Sequence, residues 1–144
     1  MTLKRQLIAL GACKDATEWA KDYRTLADAW QNCQRGDWML WLVTQTLGKE
    51  QDSIGRKRLV FAVCQCARLG LPYTTDVRVL AAIEVTERWT FGQTSIQEVR
   101  DAANAAADAA NAADAAAHAA ARITNLSQCA DIVRPLFTAV ELKG

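Results

Sequence analysis

Residues 95–122 contain neither Gly nor Pro, and fifteen of the twenty-two residues from 101 to 122 are Ala. This run constrains the fold more than any other feature of the sequence. Alanine is the best helix former because it loses no side-chain entropy and buries no polar group. Ahead of the run, Ser95-Ile96-Gln97-Glu98 has the form of a capping box, in which Ser and Glu satisfy backbone N–H groups at a helix start. The pattern predicts one alanine-rich helix over about 95–122, roughly 42 Å long at 1.5 Å per residue. Its methyl surface calls for other helices to pack against.

The rest of the chain supplies them. Residues 3–22 predict a helix, with a break near Gly11 left open. Thr25-Leu26-Ala27-Asp28 resembles a capping box with Asp in place of Glu. It leads into Leu26, Ala29, Trp30 and Cys33 at i, i+3, i+4, i+7, the spacing of one buried face. Gly36 is the expected left-handed cap of that helix. Asp37 then caps Trp38–Leu47, a segment with almost no polar face and therefore expected at the centre, with at least one of Trp38 and Trp41 fully buried. Further helices are expected over about 55–69, 75–90 and 126–140, the last kinked or restarted at Pro135. The sequence thus predicts an all-α, single-domain bundle of about six to seven helices spanning residues 1–144.

A formal net charge of +1 gives no global field towards nucleic acid or membrane. No run approaches the roughly 18 apolar residues that span a bilayer, and the N-terminal apolar stretch is too short for a signal peptide. The five cysteines, Cys13, Cys33, Cys64, Cys66 and Cys129, are odd in number and scattered. They read as reduced residues in apolar helical patterns rather than as a disulfide framework. Cys64 and Cys66 are two apart on a helix and point in different directions, which argues against a metal site. No cofactor is expected.

Three groups of residues are candidates for function. In the alanine tract, Asp101, Asn104, Asp108, Asn111, His118 and Arg122 fall on an i, i+3, i+7 series and form a narrow polar stripe, with Asp114 the remaining polar residue. The stripe reads as a solvated face, as a source of polar specificity against a partner protein, or as a cation site. The last is disfavoured because its carboxylates lie roughly 9–11 Å apart along a helix. Arg56-Lys57-Arg58, with Arg68 further along, is the densest basic patch. Cations at a helix start become favourable beside an anion, so an acidic partner or a nucleotide phosphate competes with a solvated face. Trp30, Trp38 and Trp41 read as core, since indoles bury much apolar area in a small domain. No P-loop, Gly-x-Gly-x-x-Gly, His-Glu-x-x-His or Gly-x-Ser-x-Gly motif occurs, and there is a single histidine. The expectation is a non-enzymatic binding protein. The alternative is a small-ligand or nucleotide sequestering protein, with which a homo-oligomer is compatible.

Ala12-Cys-Lys-Asp-Ala-x-Glu-Trp-Ala20, Arg35-Gly36-Asp37-Trp38-Met39-Leu40-Trp41, Arg58-Leu-Val-Phe-Ala-Val-Cys-Gln-Cys-Ala-Arg68, Trp89-x-x-Gly92, the alanine tract and Cys129-Ala-Asp-Ile-Val-Arg134 occur in this order. This arrangement resembles the Imm-5-like putative immunity proteins found in bacteria and bacteriophages. Arg-Gly-Asp-Trp-x-x-Trp is its most specific element. The resemblance implies an inhibitor in the cytoplasm of a bacterial host, of immunity or phage anti-defence type, that neutralises a toxin or defence effector by stoichiometric binding. It assigns no functional residues.

Overall fold

A computed structural model describes residues 1–47, 50, 53–73, 75–111 and 126–142. These form an all-α fold with no strand among the described residues. In chain order the helices are α1 (Leu3–Leu10), α2 (Lys14–Ala20), α3 (Leu26–Asn32), α4 (Gly36–Thr46), α5 (Ile54–Arg68), α6 (Val77–Thr90) and α7 (Ile96–Asn111). Residues 126–133 form α8, and α9 covers Ala139–Leu142. Short 3₁₀ turns lie at Leu71–Tyr73 and Arg134–Leu136. Among the described residues the count is slightly above the expected six to seven, because Gly11 breaks the first segment and the last is restarted beyond Pro135. Gly11 adopts φ 89°, the left-handed region that glycine enters without steric penalty.

Side-chain caps set most helix starts. The hydroxyls of Thr2, Thr25 and Ser53 accept the N–H groups of Arg5, Asp28 and Arg56, and the Asp76 carboxylate accepts that of Arg78. Thr25 also donates to Asp28 Oδ2 at 2.8 Å, so Asp serves at the position where Glu is usual. At α7, Ser95 Oγ accepts the Glu98 N–H at 3.2 Å. The Glu98 carboxylate turns instead to the Thr94 hydroxyl, so the box is only half formed. At the other end of the chain Pro135 ends α8 in a 3₁₀ turn, and α9 restarts beyond it.

The main core joins distant parts of the chain. Trp30 and Cys33 come from the α3 end; Met39, Leu42 and Val43 from α4; Leu59 and Ala62 from α5. Cys129, Ala130, Val133, Phe137 and Leu142 come from the C-terminal segment. A smaller cluster of Leu3, Ala20 and Ala29 ties α1 and α2 to α3. Helix α6 packs against both α5 and α7, extending the fold to one side.

Four expectations are corrected by the structure. Gly36 is not the left-handed cap of α3; α3 ends at Asn32, and Gly36 is the buried first residue of α4. A Cβ there would lie 2.5 Å from Cys129 Cβ and Sγ and 2.8 Å from the Ala130 N, so glycine is needed for close approach of α4 to α8. Asp37 accordingly sits inside the first turn, with Arg35 as the cap residue.

Trp38 and Trp41 are both half-buried, and the fully buried indole is Trp30, at 3% exposure. Helix α4 is central, but it turns Gly36, Met39 and Val43 inward at i, i+3, i+7, together with Leu42. Positions 38 and 41 fall on its flank and pack against the core edge. Trp38 lies between the Trp19 ring, at 5.8 Å, and the Arg35 guanidinium, 4.4 Å from its centroid.

The cysteines are not all reduced. Cys66 of α5 and Cys129 of α8 form a disulfide, with Cα atoms 5.1 Å apart. Their separation of 63 residues leaves no trace in local spacing. Cys33 and Cys64 are the buried thiols that the apolar patterns predict, whereas Cys13 is exposed. Burial raises the pKa of both buried thiols, that of Cys64 to about 11.

Candidate functional site

Arg56, Lys57 and Arg58 lie near the start of α5, about 100° apart around the axis, and the structure engages Lys57 and Arg58 differently. The Arg58 side chain points at the C-terminal segment. Its Nη1 donates to Glu141 Oε1 at 3.0 Å, its Nη2 donates to the Leu136 carbonyl, and its guanidinium lies 4.7 Å from the Phe137 ring centroid. Arg58, aided by the Thr138 N–H, holds the Glu141 carboxyl at about 2. Arg68 is likewise occupied. Its Nε and Nη2 donate to both Glu87 oxygens at 2.7 Å, and Gln65 adds a bond at 2.9 Å, clasping α5 to α6. Lys57 differs. Its Nζ lies 5.6 Å from the Trp89 ring centroid, and no carboxylate pairs with it among the described residues.

Beside Lys57 lies a cleft of ≈ 280 Å³ lined by Ile54, Lys57, Arg58, Phe61, Thr90, Phe91 and Leu136. Ile54 is 80% and Phe91 67% exposed. The geometry follows from the two helix ends that frame it. Ser53 caps α5, and Ile54 is left exposed in its first turn. Phe91 caps the C-terminus of α6, and Gly92 at φ 72° reverses the chain into α7. The Phe91 ring is left outside the α6–α7 hairpin and meets Phe61 edge-on, at 5.6 Å between centroids. Paired aromatics with one member exposed are the composition of interface anchors. Ile54 and Phe91 are not among the candidates that the sequence offers. Two signals pointed to them: an aliphatic residue directly after a Ser cap, and an aromatic inside the polar turn Phe91-Gly92-Gln93-Thr94.

The polar stripe is a separate surface. Asp101 and Asn104 are exposed on α7, where Asp101 accepts a bond from Gln97 at 2.9 Å. Asp108 and Asn111 continue the helix, while Asp114, His118 and Arg122 lie outside the described residues. Helix α6 packs against both α5 and α7, so the stripe and the α5 cations are not brought together. The indoles do not make a nucleotide site either. Trp19, Trp30, Trp38 and Trp41 line an apolar crevice of only ≈ 50 Å³, far below the roughly 300 Å³ of a small-molecule pocket.

The segments Arg35–Asp37 and Cys129–Arg134 meet in space. The Arg134 guanidinium donates to the carbonyls of Trp30 and Cys33 and pairs with Asp131, while the Trp30 indole N–H donates to the Arg134 carbonyl at 3.2 Å. Arg35 forks onto Asp37 at 2.9 and 2.7 Å. Burial pushes the Asp37 carboxyl up, but this fork and nearby N–H groups outweigh it and leave the group below its usual range. These contacts close the end of α3 and fix the start of α4.

No helix among the described residues is long and apolar enough to cross a membrane. No curated protein and no solved structure matches the chain. A family model does match, over residues 61–129, from the middle of α5 through α6 and α7 to Cys129. Over that segment the chain is similar to the family described as Imm-5 like putative immunity protein.

Proposed function

We propose that the chain is a non-enzymatic immunity-type inhibitor that neutralises a toxin or a defence effector by stoichiometric binding in the bacterial cytoplasm. The observation that carries this reading is the family match, which spans the α6–α7 turn and its exposed Phe91. Occlusion needs a surface that a protein partner can desolvate, with an aromatic anchor near its centre. The nucleotide-sequestering alternative loses its cationic cradle, since Arg58 is bound to Glu141 and the Leu136 carbonyl.

The test is co-expression of the chain with effectors encoded beside it, followed by titration of the purified pair. Binding inhibition predicts growth rescue and an end point at one equivalent, with a stable complex on size exclusion. Neutralisation of a large molar excess of effector would show turnover and refute a non-enzymatic inhibitor. Rescue without a complex would refute binding.

A further inference from the structure

We propose that the cleft between the first turns of α5 and the α6–α7 turn is the docking surface for the protein partner. The partner presents there a large apolar side chain flanked by a carboxylate. This deepens the reading given above and rests on it.

Size, apolarity and charge agree on that occupant. The cleft, at ≈ 280 Å³, sits at the lower edge of the roughly 300–1,000 Å³ of small-molecule pockets and has room for an inserted side chain. Its walls are Phe61, Phe91, Ile54 and Leu136, and two of these are among the most exposed large hydrophobics of the described residues. Exposed apolar residues scattered singly need no explanation, but residues gathered around one concavity mark an interaction site. Among the described residues no acidic side chain lines the cleft. Arg58 is neutralised by Glu141, while among the described residues Lys57 has no carboxylate partner and lies beside the Trp89 ring. The electrostatic complement of this rim is therefore one negative charge. A basic partner would bury Lys57 against a like charge, which interfaces avoid.

The other exposed surfaces lack this combination. The α7 stripe offers Asp101 and Asn104 without an apolar concavity. The open depression around Lys4, Arg5, Lys21 and Arg24 is strongly basic, but Glu18 already bridges Lys4 and Lys21.

The experiment uses the full chain and two synthetic twelve-residue peptides of matched hydrophobicity. One places Phe and Leu between Asp and Glu; its twin places them between lysines. The acidic peptide is expected to bind with salt-sensitive affinity and to shift the amide resonances of Ile54, Phe61, Trp89 and Phe91. Phe91→Ser and Lys57→Gln should each weaken it at least tenfold without moving the melting temperature. Equal binding of the two peptides, resonance shifts confined to other helices, or insensitivity to both substitutions would overturn the proposal. So would concentration-dependent dimerisation abolished by Phe91→Ser, which would place a second copy in the cleft. The protection assay separates this idea from the functional reading. If both variants protect cells as well as wild type, the docking surface falls and the immunity reading stands. If wild type protects against nothing while the peptide behaviour holds, the immunity reading falls alone.

Discussion

Reducing the Cys66–Cys129 disulfide should lower stability substantially. The bond closes a loop with a sequence separation of 63 residues between α5 and α8. In the chain-entropy description, a cross-link over that length removes about 14 cal/mol/K from the unfolded ensemble, or about 4 kcal/mol at 25 °C. A domain of this size has a total stability of only about 5–15 kcal/mol. With an unfolding entropy near 2.1 cal/mol/K per residue, the loss translates into a fall of roughly 14 °C in Tm for 144 residues. The assay is a pair of thermal melts of the oxidised protein with and without a phosphine reductant, with the free thiol count checked by alkylation and intact mass. Cys66→Ala/Cys129→Ala should melt near the reduced protein and be insensitive to reductant. Identical melts of oxidised and reduced wild type, with two additional alkylated thiols in the latter, would refute the reasoning. The pair would then be two well-packed thiols whose bond adds nothing.

Trp30→Ala should cost about 3–5 kcal/mol in chemical unfolding, because a buried indole and its bond to the Arg134 carbonyl are both lost. The half-buried Trp41 should cost clearly less on the same substitution, and equal losses would refute the assigned burial. Gly36→Ala should destabilise by about 1–3 kcal/mol through overpacking against Cys129, read from the urea midpoint. A neutral result would mean that α4 and α8 are not in close approach. Glu141 is held at about 2 by Arg58, below its unfolded value, so its contribution is present above about pH 4.5 and is lost as pH falls towards 2. Glu141→Gln should therefore flatten the acid limb of a Tm-against-pH curve, and an unchanged limb would show that the pair is not formed.

Local chemistry made the helices readable. Thr25 and Ser95 announce helix starts through their own side chains, and Gly11 and Pro135 announce breaks through their backbones. These are effects within four residues, so one sequence contains them. What was not readable depends on residues brought together from far apart. Gly36 has the sequence context of a helix cap, and only the arrival of Cys129 shows that it is there for want of a side chain. Arg58 looked like part of a basic patch until Glu141 and Leu136, about eighty residues on, took its guanidinium. The cleft has the same origin: its lining comes from α5, the α6–α7 turn and the C-terminal segment. The polar stripe is periodic and therefore conspicuous, whereas an interface anchor such as Phe91 is a single residue with no period.

The same distinction bears on where specificity lies. Arg35-Gly36-Asp37-Trp38 and Cys129–Arg134 lie, but for Cys129, outside the residues 61–129 that the family model matches, and the structure gives almost every one of them an internal task. Gly36 admits Cys129, Arg35 forks onto Asp37 and stacks on Trp38, and Arg134 closes the carbonyl end of α3. Groups committed to internal bonds have little left to offer a partner, and altering them costs folding energy before it changes affinity. Ile54 and Phe91 are in the opposite position. Their exposure means that they contribute little to the core, so they can vary at small cost in stability. In an inhibitor that must recognise one effector and ignore others, the recognising residues are expected where the fold leaves them free to change. The cleft satisfies that requirement, and the motif-bearing junction between α3, α4 and α8 does not.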